Sequence, residues 1–110
     1  MGAPTLIHPG VEELQLAKVM DALADPVRLA IVRALAAEGE VACGTLDLGV
    51  SPATRSHHFR VLREAGVTYT RPVGTYKFVS LRREELDERF PGLLGAVLTA
   101  AERDYTSPVS

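Results

Sequence analysis

The sequence predicts a mainly α-helical domain that carries one β-hairpin. Three observations predict it. Ala24-Asp25-Pro26 and Ser51-Pro52 each place a capping side chain directly before a proline, the arrangement that opens an α-helix. Two runs rich in β-branched and aromatic residues, 67–71 and 75–81, flank Pro72-Val73-Gly74. Beyond them, residues 90–105 repeat apolar side chains at helical spacing.

Residues 1–10, with Pro4, Pro9 and Gly10, read as a flexible arm. Residues 11–23 read as the first helix, because Val11, Leu14, Ala17 and Met20 recur with a 3.6-residue period beside Leu16, Val19 and Leu23. A second helix runs from the Asp25-Pro26 start to Ala37, before Gly39, with Val27, Ile31, Val32 and Leu35 as its core stripe. Residues 45–48 offer one or two turns of a third helix before Gly49. A fourth starts at Ser51-Pro52 and stops at Gly66. At 100° per residue it gathers His58, Phe59, Val61, Leu62 and Ala65 on one side and Ala53, Ser56, His57, Arg60 and Glu64 on the other. The hairpin follows, turning at 72–74, then a polar connection or short helix at 83–89 and a terminal helix at 90–105. The domain thus spans 11–105, with 106–110 expected as a disordered tail.

The terminal helix is apolar at Phe90, Leu93, Leu94, Val97, Leu98 and Ala101, more than one side can bury within a single subunit. A homodimer through the first and last helices is therefore expected, with Leu14, Ala17, Leu94, Val97, Leu98 and Ala101 at the interface.

At 110 residues, 46% hydrophobic and 24% charged, the composition fits one globular domain and excludes a disordered or collagen-like chain. A single cysteine forms no internal disulfide, and the start at Met1 lacks the pattern of a secretion signal, so a reducing cytoplasm is the expected compartment. The longest apolar stretch, 90–101, is interrupted by Pro91, Gly92 and Gly95 and falls short of a membrane span. The net charge of −2 hides a division along the chain. Residues 1–50 carry three bases against seven acids and residues 84–110 two against six, whereas 51–83 carry seven against one. Only the central third suits a polyanion, because salt screens the distant acids beyond about 8 to 10 Å.

Helices, a hairpin and a flanking helix, with positive charge confined to the fourth helix and the hairpin, are laid out as a winged helix-turn-helix. An α-helix fits the major groove of B-DNA, and small or polar residues on its outward face allow close approach. The candidate DNA contacts are Ser51, Ala53, Thr54, Ser56, His57 and Arg60 on the helix and Arg71 and Lys77 on the hairpin. His58, pointing about 100° away from His57, reads as a packing residue with a hydrogen bond.

Ala24-Asp25-Pro26-Val27-Arg28-Leu29, followed by SPATRSHHFRVLREAGV over 51–67, resembles the ArsR/SmtB family of dimeric winged-helix bacterial regulators. The resemblance covers roughly residues 14–100. It implies a homodimer joined through the terminal helices, Ser51, Thr54, Ser56 and His57 in the major groove, and a wing at 68–81 against flanking DNA. Where many relatives carry a strongly basic wing tip, this chain has Pro72-Val73-Gly74-Thr75. Relatives often sense a metal through a Cys-x-Cys pair near the third helix, or through Asp-x-His and a further His or Glu on the last helix. Here the first region offers only Cys43, and the last helix has no His, only Glu102 and Asp104 as oxygen donors. With His8 reaching across from the arm of a second subunit, these four would be the donors for nickel or zinc, but no metal or other cofactor is expected.

The expected function is sequence-specific DNA binding by a dimeric repressor with an unidentified effector. The alternatives are a metal- or redox-responsive regulator sensing through Cys43 and His8, and a dimeric module that has lost operator recognition and binds a second regulatory protein. An enzyme is not expected: the sequence has no plausibly spaced Ser/His/Asp set, no Gly-rich phosphate loop and no carboxylate pair beside a suitable His.

Overall fold

The computed structural model describes residues 6–106, and side chains to Asp104. The rest of the expected arm, 1–5, and of the expected tail, 107–110, lies outside the described residues. Among the described residues five α-helices and three strands follow in order: α1 (Leu16–Leu23), α2 (Pro26–Glu38), β1 (Val41–Ala42), α3 (Pro52–Ala65), β2 (Thr68–Val73), β3 (Tyr76–Leu81), α4 (Arg83–Arg89) and α5 (Leu93–Thr106). Short 3-10 turns occupy Val11–Glu13 and Cys43–Thr45. The strands form one antiparallel sheet in the order β1-β3-β2.

Both capped starts behave as their chemistry requires. The Asp25 carboxylate accepts from the amides of Val27 (2.9 Å) and Arg28 (3.1 Å) ahead of α2, and Ser51 Oγ accepts from the Thr54 amide (3.2 Å) ahead of α3. Gly39 (φ +83°) follows α2, which runs one residue past Ala37, and Gly66 (φ +84°) closes α3 in the left-handed conformation. The core lies where α1, α2 and α3 meet the inner face of the sheet, centred on Leu14, Val19, Ile31, Val32, Leu35, Leu62, Val67 and Val79, with Leu86 and Leu94 closing it from α4 and α5.

The sequence reading is corrected at four elements. Residues 11–23 are not one helix. After the Val11–Glu13 turn the chain is extended at Leu14 and Gln15, and α1 begins only at Leu16. The Glu13 carboxylate caps the short turn at its start by accepting from the Gly10 amide (2.7 Å), and the Leu14 carbonyl, which a helix would use internally, instead accepts from Arg89 Nε (3.2 Å). The expected helix at 45–48 is replaced by the Cys43–Thr45 turn. Thr45 Oγ1 donates to the Ala42 carbonyl (2.7 Å) and Asp47 Oδ1 accepts from the Gly49 amide (3.3 Å), so both side chains favour turns over helix. Just before it, Val41 and Ala42 pair with Val79 and Phe78, a strand too short to show a period.

The hairpin turn is Gly74-Thr75 rather than 72–74. Val73 pairs with Tyr76, and Gly74 takes φ +60° at the first position of the two-residue loop. Pro72 is tolerated within β2 because β2 is an edge strand. The last helix starts at Leu93 and not at Phe90, since Pro91 biases Phe90 away from helical backbone and Gly92 takes φ +82°.

Candidate nucleic-acid interface

The α3 helix is mounted by its inner face. His58, Phe59, Leu62 and Ala65 are buried, and the orientation is pinned through Arg28 on α2. The Arg28 guanidinium donates from Nε to the Ala22 carbonyl (2.6 Å) and from Nη2 to that of Asp21 (3.3 Å), the last turn of α1, and lies 3.1 Å through Nη1 from His58 Nδ1. Because an arginine only donates, His58 Nδ1 is the accepting atom of that contact. One side chain therefore ties three helices together, and His58 is the packing histidine that the helical angle predicts.

With that face fixed, Ser51, Ala53, Thr54, Ser56, His57 and Arg60 all lie exposed on α3. The first turn carries no acid, so the helix end that is partly positive faces solvent unneutralised. The Ser51 hydroxyl is used as the cap, and also donates to Thr54 Oγ1 (3.0 Å). Arg60 Nη2 stands 3.3 Å from His57 Nδ1, which brings two of the predicted contacts into one unit. On the hairpin Lys77 is exposed opposite Pro72.

The central cationic block is weaker than its count suggests. Arg82 is 6% exposed and holds Glu85 through two hydrogen bonds (2.6 and 3.1 Å), which keeps that carboxyl below the usual range. Arg71 lies over the Phe78 ring, 5.1 Å from its centroid, and grips Glu40 with the same two-pronged geometry (2.6 and 3.1 Å). Hydrogen bonding to Arg71 lowers the Glu40 pKa and raises that of the arginine. Sequence reasoning missed Glu40, Glu85 and Arg28 as partners. Glu85 stands three residues from Arg82, a helical spacing that could have shown it, whereas Glu40 is 31 residues from Arg71.

Within one subunit the four candidate metal donors are not brought together. His8 is docked on the wing: its Nε2 accepts the Thr70 amide (3.0 Å), and its ring stacks on Tyr69 at 4.5 Å. Cys43 is half-buried and its thiol pKa is raised by burial, against the pull of Lys77 and Arg55. Glu102 and Asp104 lie on exposed positions of α5. Among the described residues no three His, Cys, Asp or Glu side chains converge on a point that could hold a metal ion.

The expected dimer residues divide. Leu14 and Leu94 are buried within the subunit, 1% and 2% exposed, and have almost no side-chain surface to offer, whereas Ala101, largely buried, still lines the open groove between α1 and α5; the helical period marked them as apolar but could not say which body they face. Ala17 is exposed, and Val97 and Leu98 are half-buried. The outward apolar surface comes instead from Leu16 and Met20, 47% and 54% exposed, beside an open groove of about 470 Å3 lined by Met20, Leu23, Leu29, Leu93, Val97 and Ala100. No helix among the described residues is long and apolar enough to cross a membrane.

A three-helix core that presents one polar helix beside a β-hairpin wing defines a winged-helix transcriptional regulator. Residues 23–68 match the family model described as a helix-turn-helix domain. An HTH-type transcriptional regulator of Bacillus subtilis, YceK, is 42% identical over 81 residues, covering 71% of this chain and 81% of that protein. The crystal structure of the transcriptional repressor BigR from Xylella fastidiosa superposes with a TM-score of 0.60 at 32% identity, over 77% of this chain and 84% of the other. An ArsR-family transcriptional regulator of known structure shares the fold with a TM-score of 0.60 at 21% identity, over 84% and 98% of the two chains. The chain belongs to the HTH-type transcriptional regulators and shares the fold of an ArsR-family member, and its relatives are regulators rather than enzymes.

Proposed function

We propose that the protein is a homodimeric, sequence-specific repressor, working in the cytoplasm, that sets two copies of α3 into successive major grooves of an imperfect palindrome. The exposed face of α3 carries this reading: Ala53, Thr54 and Ser56 are small enough to let the helix approach the duplex, and the paired His57 and Arg60 supply donors for guanine N7 and O6 or for a phosphate. Lys77 on the wing adds a contact to flanking backbone. Half-sites about 34 Å apart follow from the two-fold arrangement. The repressor assignment is supported by the likeness to BigR, a transcriptional repressor.

The test is selection of bound sequences from a random duplex pool, followed by titration of the selected site and a scrambled one at several salt concentrations. The selected site is expected to bind more tightly, and Arg60→Ala to lose about 1 to 3 kcal/mol on it. Equal affinity for both duplexes, unchanged by Arg60→Ala, would overturn the reading.

A further inference from the structure

We propose that Glu40 is an intramolecular stand-in for a DNA phosphate: it occupies the guanidinium of Arg71, so that the wing arginine reaches a duplex only by exchanging this carboxylate for a phosphate. The inference goes beyond the recognition role of α3, though it rests on the protein binding DNA.

Three features on the wing support it. The contact has the geometry with which arginine takes a phosphate, with Nε and Nη2 each meeting one carboxylate oxygen. Phe78, the cross-strand partner of Arg71, lies beneath the guanidinium, its ring centroid 5.1 Å from Arg71 Cζ. Arg71 stands three residues before the turn at Gly74, about 10 Å along the strand, close enough to the wing tip to serve the same flank of the DNA as Lys77. Glu40, for its part, is fixed at the head of β1, between Gly39 and the Val41–Val79 pair.

The pair is exposed, with side chains 49% and 36% accessible, so its two ions are only weakly held and a phosphate can compete. Holding Arg71 in this way removes one positive charge from the surface that any duplex would meet. Affinity for non-specific DNA falls, and with it one unit of counterion release. Arg71 then adds to binding only where a duplex lies close enough to the wing to displace Glu40.

A charge-neutral replacement tests this in a double-mutant cycle. Binding of a 20-base-pair duplex is measured by fluorescence anisotropy from 50 to 200 mM salt for wild type, Glu40→Gln, Arg71→Ala, the double variant and Arg60→Ala, with thermal melts to confirm folding. Glu40→Gln is expected to bind several-fold more tightly at the lowest salt, with a plot of log K against log salt steeper by about 0.9. Arg71→Ala should cost more in the Glu40→Gln background than in wild type, and the double variant should lose the steeper slope. Additive effects of the two substitutions, or a Glu40→Gln slope equal to wild type, overturn the proposal. Arg60→Ala separates it from the reading beneath: coupling between 40 and 71 with no loss in Arg60→Ala leaves the exchange standing and sinks the role of α3. The reverse pattern does the opposite.

Discussion

Gly66 carries two duties that no other residue can combine. It ends α3 at φ +84°, and a Cβ added there would overlap Leu14 Cδ2, while also pressing on Pro9. A side chain in this left-handed region costs about 1 to 2 kcal/mol before any overlap is counted. Leu14 is only 1% exposed, and truncating a leucine buried to that degree costs about 2 to 5 kcal/mol. Gly66→Ala and Leu14→Ala should therefore each lower the urea midpoint. The double variant should be less destabilised than their sum, because removing Leu14 Cδ2 relieves the overlap. Strict additivity would mean that Leu14 does not sit under the α3 stop.

At the level of elements, the segment ahead of α1 is joined to the wing through His8. The Thr70 amide lies on the open edge of β2, and His8 Nε2 accepts it, so the bond requires the imidazole nitrogen to be unprotonated. Burial lowers the His8 pKa from its ordinary 6.5, helped by the charges of Arg82 and Arg63 and opposed by the Leu6 carbonyl and Glu85. A depressed folded pKa fixes the sign: docking is fully supported above pH 6.5, weakens as pH falls through that value, and loses this contribution below the folded pKa. An NMR titration should find a His8 midpoint below 6.5 with the Thr70 amide shifting in step, and His8→Ala should abolish that response. A midpoint at or above 6.5 would show the imidazole undocked. Such long-range joins mark the limit of what the chain shows in one dimension. Helix α3 was legible because Ser51-Pro52, Gly66 and the polar and apolar faces are all local signals. The break at Leu14 was not, because Arg89, 75 residues away, takes its carbonyl; nor was the pairing of Arg71 with Glu40. The outward positions of α3 followed from helical angle alone, whereas the availability of each wing charge depended on tertiary partners.

For the whole molecule, the proposed assembly rests on the placement of apolar surface. With Leu94 turned inward, what α1 and α5 leave outside is the exposed Leu16 and the open groove that Met20, Val97, Ala100 and Ala101 help to line, a region that water contacts in a single subunit. A two-fold copy would cover it and place a second α3 at a fixed distance from the first, which is what converts a single groove contact into recognition of two half-sites. Met20→Glu puts a charge into the centre of this surface without touching the core, since Met20 is 54% exposed. Sedimentation should find wild type as a dimer and Met20→Glu as a folded monomer with an unchanged far-UV spectrum. On a duplex with both half-sites the variant should lose at least about tenfold in affinity, while on a single half-site it should bind as one wild-type subunit does, because the second α3 supplies its contribution through effective concentration. A wild-type monomer, or a Met20→Glu dimer with full affinity, would place the subunit contact elsewhere on the molecule and detach the spacing of the half-sites from α1 and α5.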